Sequence, residues 1–271
     1  MVNSESARER FDISKPHPAR RYDYWLGGKD NYPADRESAD AVAEGFPTVR
    51  LAAVENRSFL RRAVTFLSTE MGVRQYLDIG AGLPTAGNVH EIAQDIAPES
   101  RIVYVDNDPI VLLHGRELLD SSPEGATAYV DADLREPRQI LDAPELHEVL
   151  DLSKPVALML VAVLHFITDN DEAYRLVRTL YEALPSGSYV VLSHGTNDFL
   201  TAEDLAESDA ANLRSGVPFR LRSTAEFTAF FDGLDLVPPA ITSVIHWRPD
   251  SWRPHPRAEA VSMLAGVARI P

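Results

Sequence analysis

Gln75-Tyr76-Leu77-Asp78-Ile79-Gly80-Ala81-Gly82-Leu83-Pro84-Thr85 carries an apolar strand into an acid and then a glycine turn. Downstream, Ile102-Val103-Tyr104-Val105-Asp106 is a second apolar run that ends in acid. Together they predict the nucleoside-binding edge of a doubly wound α/β sheet, where ligands sit outside the carboxyl ends of the strands. Outward from this pair the pattern repeats. Tyr76 to Ile79 reads as the first strand and Ala86 to Ile96 as its helix. Ile102 to Val105 and Ala126 to Val130 read as the next two strands, and Asp108-Pro109 as a capped helix start. Val156 to Val163 is a long apolar run, as expected of a strand buried on both faces. Ala173, Leu176, Val177, Leu180 and Leu184 lie at helical spacing behind capping residues in Thr168 to Asp171, and Tyr189 to Ser193 is a fifth strand. Strands alternating with helices imply a parallel sheet with right-handed crossovers.

The flanks read differently. Before Gly72 the chain looks helical, with a polar tail; Leu51, Val54, Phe59, Ala63 and Phe66 recur at helical spacing, and Arg57, Arg61 and Arg62 are assigned to the opposite side. After residue 195, Thr201 to Leu213 and Ser223 to Phe231 look helical. Ile241 to Trp247 and Ala260 to Arg269 look like strands, joined by a proline-rich loop with a Trp-Arg-Pro echo at Trp247 and Trp252. We therefore divide the chain into a helical extension, 1–70, and a cofactor-binding domain, 71–271.

The chemistry rests on a few side chains. Gly80 and Gly82 let backbone approach a ligand where a side chain would collide. A dinucleotide turn reads G-x-G-x-x-G; here Thr85 takes the last position, behind Pro84. Asp78 would repel a pyrophosphate but suits an ammonium group. S-adenosylmethionine, with an amino group and a sulfonium, fits better than NAD. Asp106 matches the acid that accepts hydrogen bonds from ribose hydroxyls, because Asp108 is better placed to cap the next helix. Asp133 either binds an adenine amino group, with Leu134 on the ring, or is a loop acid at a helix start. His165, after the fourth strand, is a base, a substrate ligand or a core histidine.

A second segment, Arg20-Arg21-Tyr22-Asp23-Tyr24-Trp25-Leu26-Gly27-Gly28-Lys29-Asp30-Asn31-Tyr32, gathers aromatics, paired glycines and charge. It reads either as a helix with an aromatic core face and a glycine stop, or as a lid closing over the cofactor. In the lid reading, Tyr22, Tyr24 or Trp25 faces the sulfonium.

With the glycine turn and Val105-Asp106-Asn107-Asp108-Pro109, the stretch from Arg21 to Arg36 closely resembles an actinobacterial family long filed as a domain of unknown function and described as S-adenosyl methyltransferase. The resemblance covers nearly the whole chain after residue 15. It implies a class I, Rossmann-like α/β fold: a doubly wound seven-stranded, mostly parallel sheet with the last strand antiparallel, and a helical N-terminal lid. It also implies a cofactor site at Asp78, Gly80, Gly82, Asp106 and Asp133, and in the residues after strand four. Pro84 replaces the third glycine of the wider superfamily turn. The candidate cofactor contacts are thus Tyr22, Tyr24, Gly27, Gly28, Lys29 and Asn31 from the lid. From the turn and second strand they are Asp78, Gly80, Ala81, Gly82, Asp106 and Asn107. Asp133, Leu134, Val161, Ala162, Val163 and Phe166 complete the set, with His165 as the candidate catalytic base.

Bulk properties bound the function. The 271 residues suffice for one large α/β domain with additions. The absence of cysteine excludes disulfides and thiolate chemistry. A net charge of -15 repels phosphate backbones, so no nucleic-acid partner is expected. No apolar run approaches the ~20 residues that span a bilayer, and Met1 to Arg10 lacks the apolar core of a secretory signal. A cytoplasmic protein with no membrane partner is expected. No metal is expected either, since Asp169-Asn170-Asp171 reads as a helix cap. The leading function is a methyltransferase using S-adenosylmethionine on a small molecule. The alternatives are a non-catalytic S-adenosylmethionine or S-adenosylhomocysteine sensor and an NAD-dependent oxidoreductase, the latter disfavoured by Asp78, Pro84 and Thr85.

Overall fold

A computed structural model describes residues 12–84, 87–118, 121–252 and 254–271. Eight strands form one sheet: β1 (Gln75–Ile79), β2 (Arg101–Asp106), β3 (Ala126–Asp131), β4 (Ala157–Val161), β5 (Tyr189–Gly195), β6 (Asp235–Leu236), β7 (Thr242–Ser243) and β8 (Met263–Arg269). The order is β3-β2-β1-β4-β5-β8-β6, with β7 also paired to β8. Strands β1 to β5 pair in parallel; β8 runs antiparallel to β5, β6 and β7. The chain moves outward from β1 to β3, then returns to place β4 on the other side of β1. That reversal opens a crevice at the strands' carboxyl ends.

The two-residue period of the strands sorts the core into two layers. Tyr76 of β1, Met159 of β4, Val191 of β5 and Val267 of β8 pack on the face of α3 (Val49–Thr69) and α4 (Val89–Ile96). Leu77, Leu158, Leu160, Val190 and Leu192 face the other layer, with Leu176, Val177 and Leu180 of α8 (Asn170–Glu182). On the first face the Tyr76 hydroxyl meets Ser68 Oγ at 2.6 Å, giving the buried phenol a partner inside the apolar layer. Helices α1 (Pro18–Trp25), α2 (Pro33–Gly45) and α9 (Ala202–Ser215) roof the strand ends, with α2 packed along α9. The remaining helices are α5 (Pro109–Leu118), α6 (Pro137–Leu141), α7 (Pro144–Val149), α10 (Thr224–Thr228) and α11 (Ala258–Val261). No helix among the described residues is long and apolar enough to cross a membrane.

The sheet keeps the expected seven-position order with β8 antiparallel, and the segment ahead of β8 is split into two short pieces, β6 and β7, both paired to it. Several expectations need correction. The fourth strand stops at Val161: Ala162 takes a left-handed φ of 57°, and a 3₁₀ turn follows at Leu164–Phe166. The expected strand Ile241 to Trp247 shrinks to Thr242–Ser243. Beyond it Arg62 Nε donates to Trp247 O at 3.0 Å and Nη2 to Val244 O at 2.5 Å, so those carbonyls need no ladder. Trp247 is fully buried, edge-on to Phe59 and Phe66, whereas Trp252 is 75% exposed. Arg62 is therefore buried rather than on a solvent face. The last strand begins at Met263, after α11 and a left-handed Ser262. Thr85, Ala86 and Arg253, parts of the expected turn, helix start and Trp-Arg-Pro echo, lie outside the described residues, as does the tail through residue 11.

Candidate functional site

The glycine turn is held from β2. Gly80 N donates to Val105 O at 2.8 Å, and Gly82 N donates to Asp106 Oδ2 at 2.9 Å. Gly80 has φ +75°, and an added Cβ would come within 2.5 Å of Val163. Gly82 is also left-handed, but a Cβ there would meet nothing within 4 Å, so the turn opens on that side. Gly80→Ala should therefore both strain the backbone and push the β4 loop outward. We expect S-adenosylhomocysteine affinity to fall at least about tenfold, and the unfolding temperature to drop, both readable by calorimetry.

Two buried carboxylates flank the turn. Asp106 Oδ1 also accepts from Asp108 N at 2.9 Å. Burial raises its pKa, and the two backbone donors oppose the rise. Asp78 is 5% exposed, and among the described residues no hydrogen bond reaches its carboxylate. Burial pushes it up to about 7, the Arg57 guanidinium pulls it down, and Asp106 adds to the rise. Asp108 caps α5 through Ile110 N at 3.0 Å, as expected, and ties the roof to the sheet: Arg20 Nε lies 3.1 Å from its Oδ2 and His17 Nδ1 3.0 Å away. Asp133 accepts from Asn107 Nδ2 at 2.8 Å and from Arg135 N at 2.8 Å, joining the ends of β2 and β3.

A cavity of about 400 Å³ runs along these strand ends. Its walls include Asp78, Gly80, Ala81, Gly82, Asp106, Asn107, Asp133 and Leu134, together with Val161, Ala162, Val163, His165 and Phe166. The structure thus brings those thirteen predicted positions together. From the roof it adds Tyr22, whose hydroxyl donates to Ala53 O and accepts from Asn56 Nδ2, each at 3.0 Å. Asn56 Oδ1 accepts from Ser193 Oγ at 2.6 Å, and Ser193 Oγ accepts from Ala162 N at 3.0 Å. This chain of bonds fixes the strained Ala162 relative to α1 and α3.

Tyr24, Gly27, Gly28, Lys29 and Asn31 do not line the cavity. Asp23 is the reason. Its carboxylate accepts from Asp30 N at 3.0 Å and from Asn31 Nδ2 at 2.7 Å, and a Cβ on Gly28 would strike it. The second half of the segment is wound around Asp23 behind the wall. Tyr24 turns to Asp40 and lies under Arg50, and Lys29 is exposed. α1 with its glycine stop contributes Tyr22 and Trp25 to the cavity wall, and the turn after it is a brace.

His165 is 7% exposed, between Phe166 and Phe219, with ring centroids at 4.4 and 4.5 Å. Burial, then His194, Arg21 and Arg222, hold it well below the ordinary histidine range, so its imidazole is neutral. Arg222 secures the surrounding loop, donating to Leu164 O at 3.1 Å and Ile167 O at 2.7 Å.

Sequence reasoning missed Arg57, Asn56, Phe219 and Asn212 of the cavity wall. Arg57 and Asn56 sit among the polar positions of an amphipathic helix, which periodicity assigns to solvent; nothing local in the sequence marks Phe219 or Asn212.

The donor set fits S-adenosylmethionine. It provides an unpartnered buried carboxylate for an ammonium, an open left-handed glycine, and acids at the ends of both β2 and β3. Fold and site together define a class I methyltransferase architecture. The chain belongs to the S-adenosyl methyltransferase family, whose profile matches residues 4–271. It is similar to a DUF574 family protein of Streptomyces avermitilis: 49% identity, TM-score 0.91, covering 96% of this chain and 99% of that one. A protein of Thermobifida fusca given as a candidate methyltransferase shows 38% identity and TM-score 0.86, covering 96% of each chain. No functionally curated protein matches.

Proposed function

We propose that this protein transfers a methyl group from S-adenosylmethionine to a small molecule held in the same cavity. The observation that carries this reading is the convergence of Asp78, Asp106 and Asp133 on one roofed cavity that continues past His165 to α9. Asp78 pairs with the cofactor's ammonium, Asp106 accepts from the ribose, and Asp133 with Leu134 holds the adenine. When bound, the cofactor supplies a methyl group on a sulfonium, already an efficient leaving group. The residues of the cavity then need to orient a nucleophile in line and exclude water. Tyr22 and Trp25 close one side; Val161, Ala162 and Val163 close the other.

His165 serves as the base. Burial and the nearby Arg21 and Arg222 make it a weak base that stays neutral, and it accepts the proton of a hydroxyl nucleophile, which becomes far more acidic than the imidazolium once its oxygen takes the methyl group. The test is formation of S-adenosylhomocysteine from methyl-labelled cofactor and fractionated small-molecule pools. Once a turned-over fraction is found, His165→Ala is expected to lower kcat about 100-fold with cofactor affinity retained. Unchanged turnover removes the base, and cofactor binding without turnover in any pool makes this a binding protein.

A further inference from the structure

Beyond His165 the cavity holds one full charge without a counter-ion. Arg21, on α1, is 2% exposed in the wall. Its Nη1 reaches Ser38 Oγ at 3.3 Å, its Nε has no partner, and among the described residues it forms no ion pair. Its neighbour Arg20 lies 3.1 Å from Asp108 and 3.6 Å from Asp35. Burial pushes the Arg21 guanidinium down to about 10, with Asp35 opposing only from a distance. Its guanidinium carbon stands 5.6 Å from the Trp25 ring and 6.0 Å from that of Phe166, contacts that return part of the desolvation cost. The carboxylates of the cavity, Asp78, Asp106 and Asp133, all lie at the β1–β3 end. The far wall is mostly apolar, with Phe46, Leu200, Val217 and Phe219 alongside the polar Ser208 and Asn212 of α9.

We infer that Arg21 receives a carboxylate of the methyl acceptor, and that the acceptor is a ring-bearing apolar organic acid. The guanidinium fork matches a carboxylate. A phosphate dianion would want a second free cation, and Arg135, which lines the cavity and donates to Phe166 O at 3.1 Å, is already paired with Asp133 at 3.3 Å. The Phe166 and Phe219 rings, 6.0 Å apart, supply the apolar surface beside it. The inference rests on the methyltransferase reading.

The test uses the full chain saturated with S-adenosylhomocysteine, so that the cofactor end is filled. Benzoate, 4-hydroxybenzoate and 4-hydroxycinnamate are titrated against their amides. At least one acid is expected to bind about tenfold or more tighter than its amide. Arg21→Met should erase that preference with S-adenosylhomocysteine affinity intact, and Arg21→Lys should keep part of it. If S-adenosylhomocysteine binds but no acid is preferred, or the preference survives in Arg21→Met, the inference is wrong. If S-adenosylhomocysteine itself does not bind, the methyltransferase reading falls instead. Should Arg21→Met not fold, the wild-type acid-to-amide comparison and Arg21→Lys decide.

Discussion

Asp106→Ala is expected to lower affinity for S-adenosylhomocysteine by about 100-fold or more. The side chain has two tasks. Its oxygens hold Gly82 N and Asp108 N, each at 2.9 Å, fixing the glycine turn relative to the start of α5. In the proposed function it also offers its remaining lone pairs to the ribose. Hydrogen bonds to a charged acceptor contribute about 1.5–3 kcal/mol each, so losing two ligand contacts alone accounts for the drop. Asp106→Asn keeps only one of the two backbone bonds, since its amide oxygen can accept from Gly82 N or Asp108 N but its amide nitrogen cannot accept from the other, and the negative charge is gone. Calorimetry should place Asp106→Asn between wild type and Asp106→Ala. Equal affinity for all three would mean that ribose is not bound there.

Asp78→Asn should do two opposite things. In the unliganded protein, burial raises the Asp78 carboxyl from 3.8 to about 7. Between those values the folded state holds a proton that the unfolded state has lost. Stability attributable to this group is therefore highest at low pH, declines as pH rises through the window, and stays low above about 7. An asparagine carries no charge to bury, so the variant should be more stable than wild type at pH 8, by about 4 kcal/mol. The advantage should close below about pH 3, where both states are protonated. Ligand binding has the other sign. An ammonium beside Asp78 favours its ionised form, so wild-type affinity for S-adenosylhomocysteine should rise from pH 5.5 to 7.5. In Asp78→Asn it should be about tenfold or more weaker at pH 7.5 and nearly flat with pH. Thermal melts and titrations across that range check both. A variant that binds as well as wild type, with the same pH profile, would remove Asp78 from the ligand.

The parts of this protein that sequence revealed are those governed by local rules. The period of two in β1 and β2, the glycines that only a left-handed turn requires, and the acid after each strand placed Asp78, Asp106 and Asp133 around one crevice. The Asp108-Pro109 helix start followed from capping chemistry. What stayed hidden depends on partners far along the chain. Helix α3 is covered on two sides, by the sheet and by the tail, so its polar stripe is not a solvent face: Arg62 holds carbonyls at Val244 and Trp247, and Arg57 faces the cavity. The same contacts dissolve the strand expected at Ile241 to Trp247. The Tyr22 to Asn31 segment was recognisable as unusual, but its composition did not separate the half that faces the cavity from the half wound around Asp23. Arg21 was legible only as one of two adjacent arginines; Arg20 finds Asp108 and Asp35, and Arg21 does not.

The most direct measurement of the central claim is titration of the purified protein with S-adenosylhomocysteine and, separately, with NAD. The site described here is expected to bind S-adenosylhomocysteine with micromolar affinity and NAD not measurably. Absence of S-adenosylhomocysteine binding, or a preference for NAD, would contradict it.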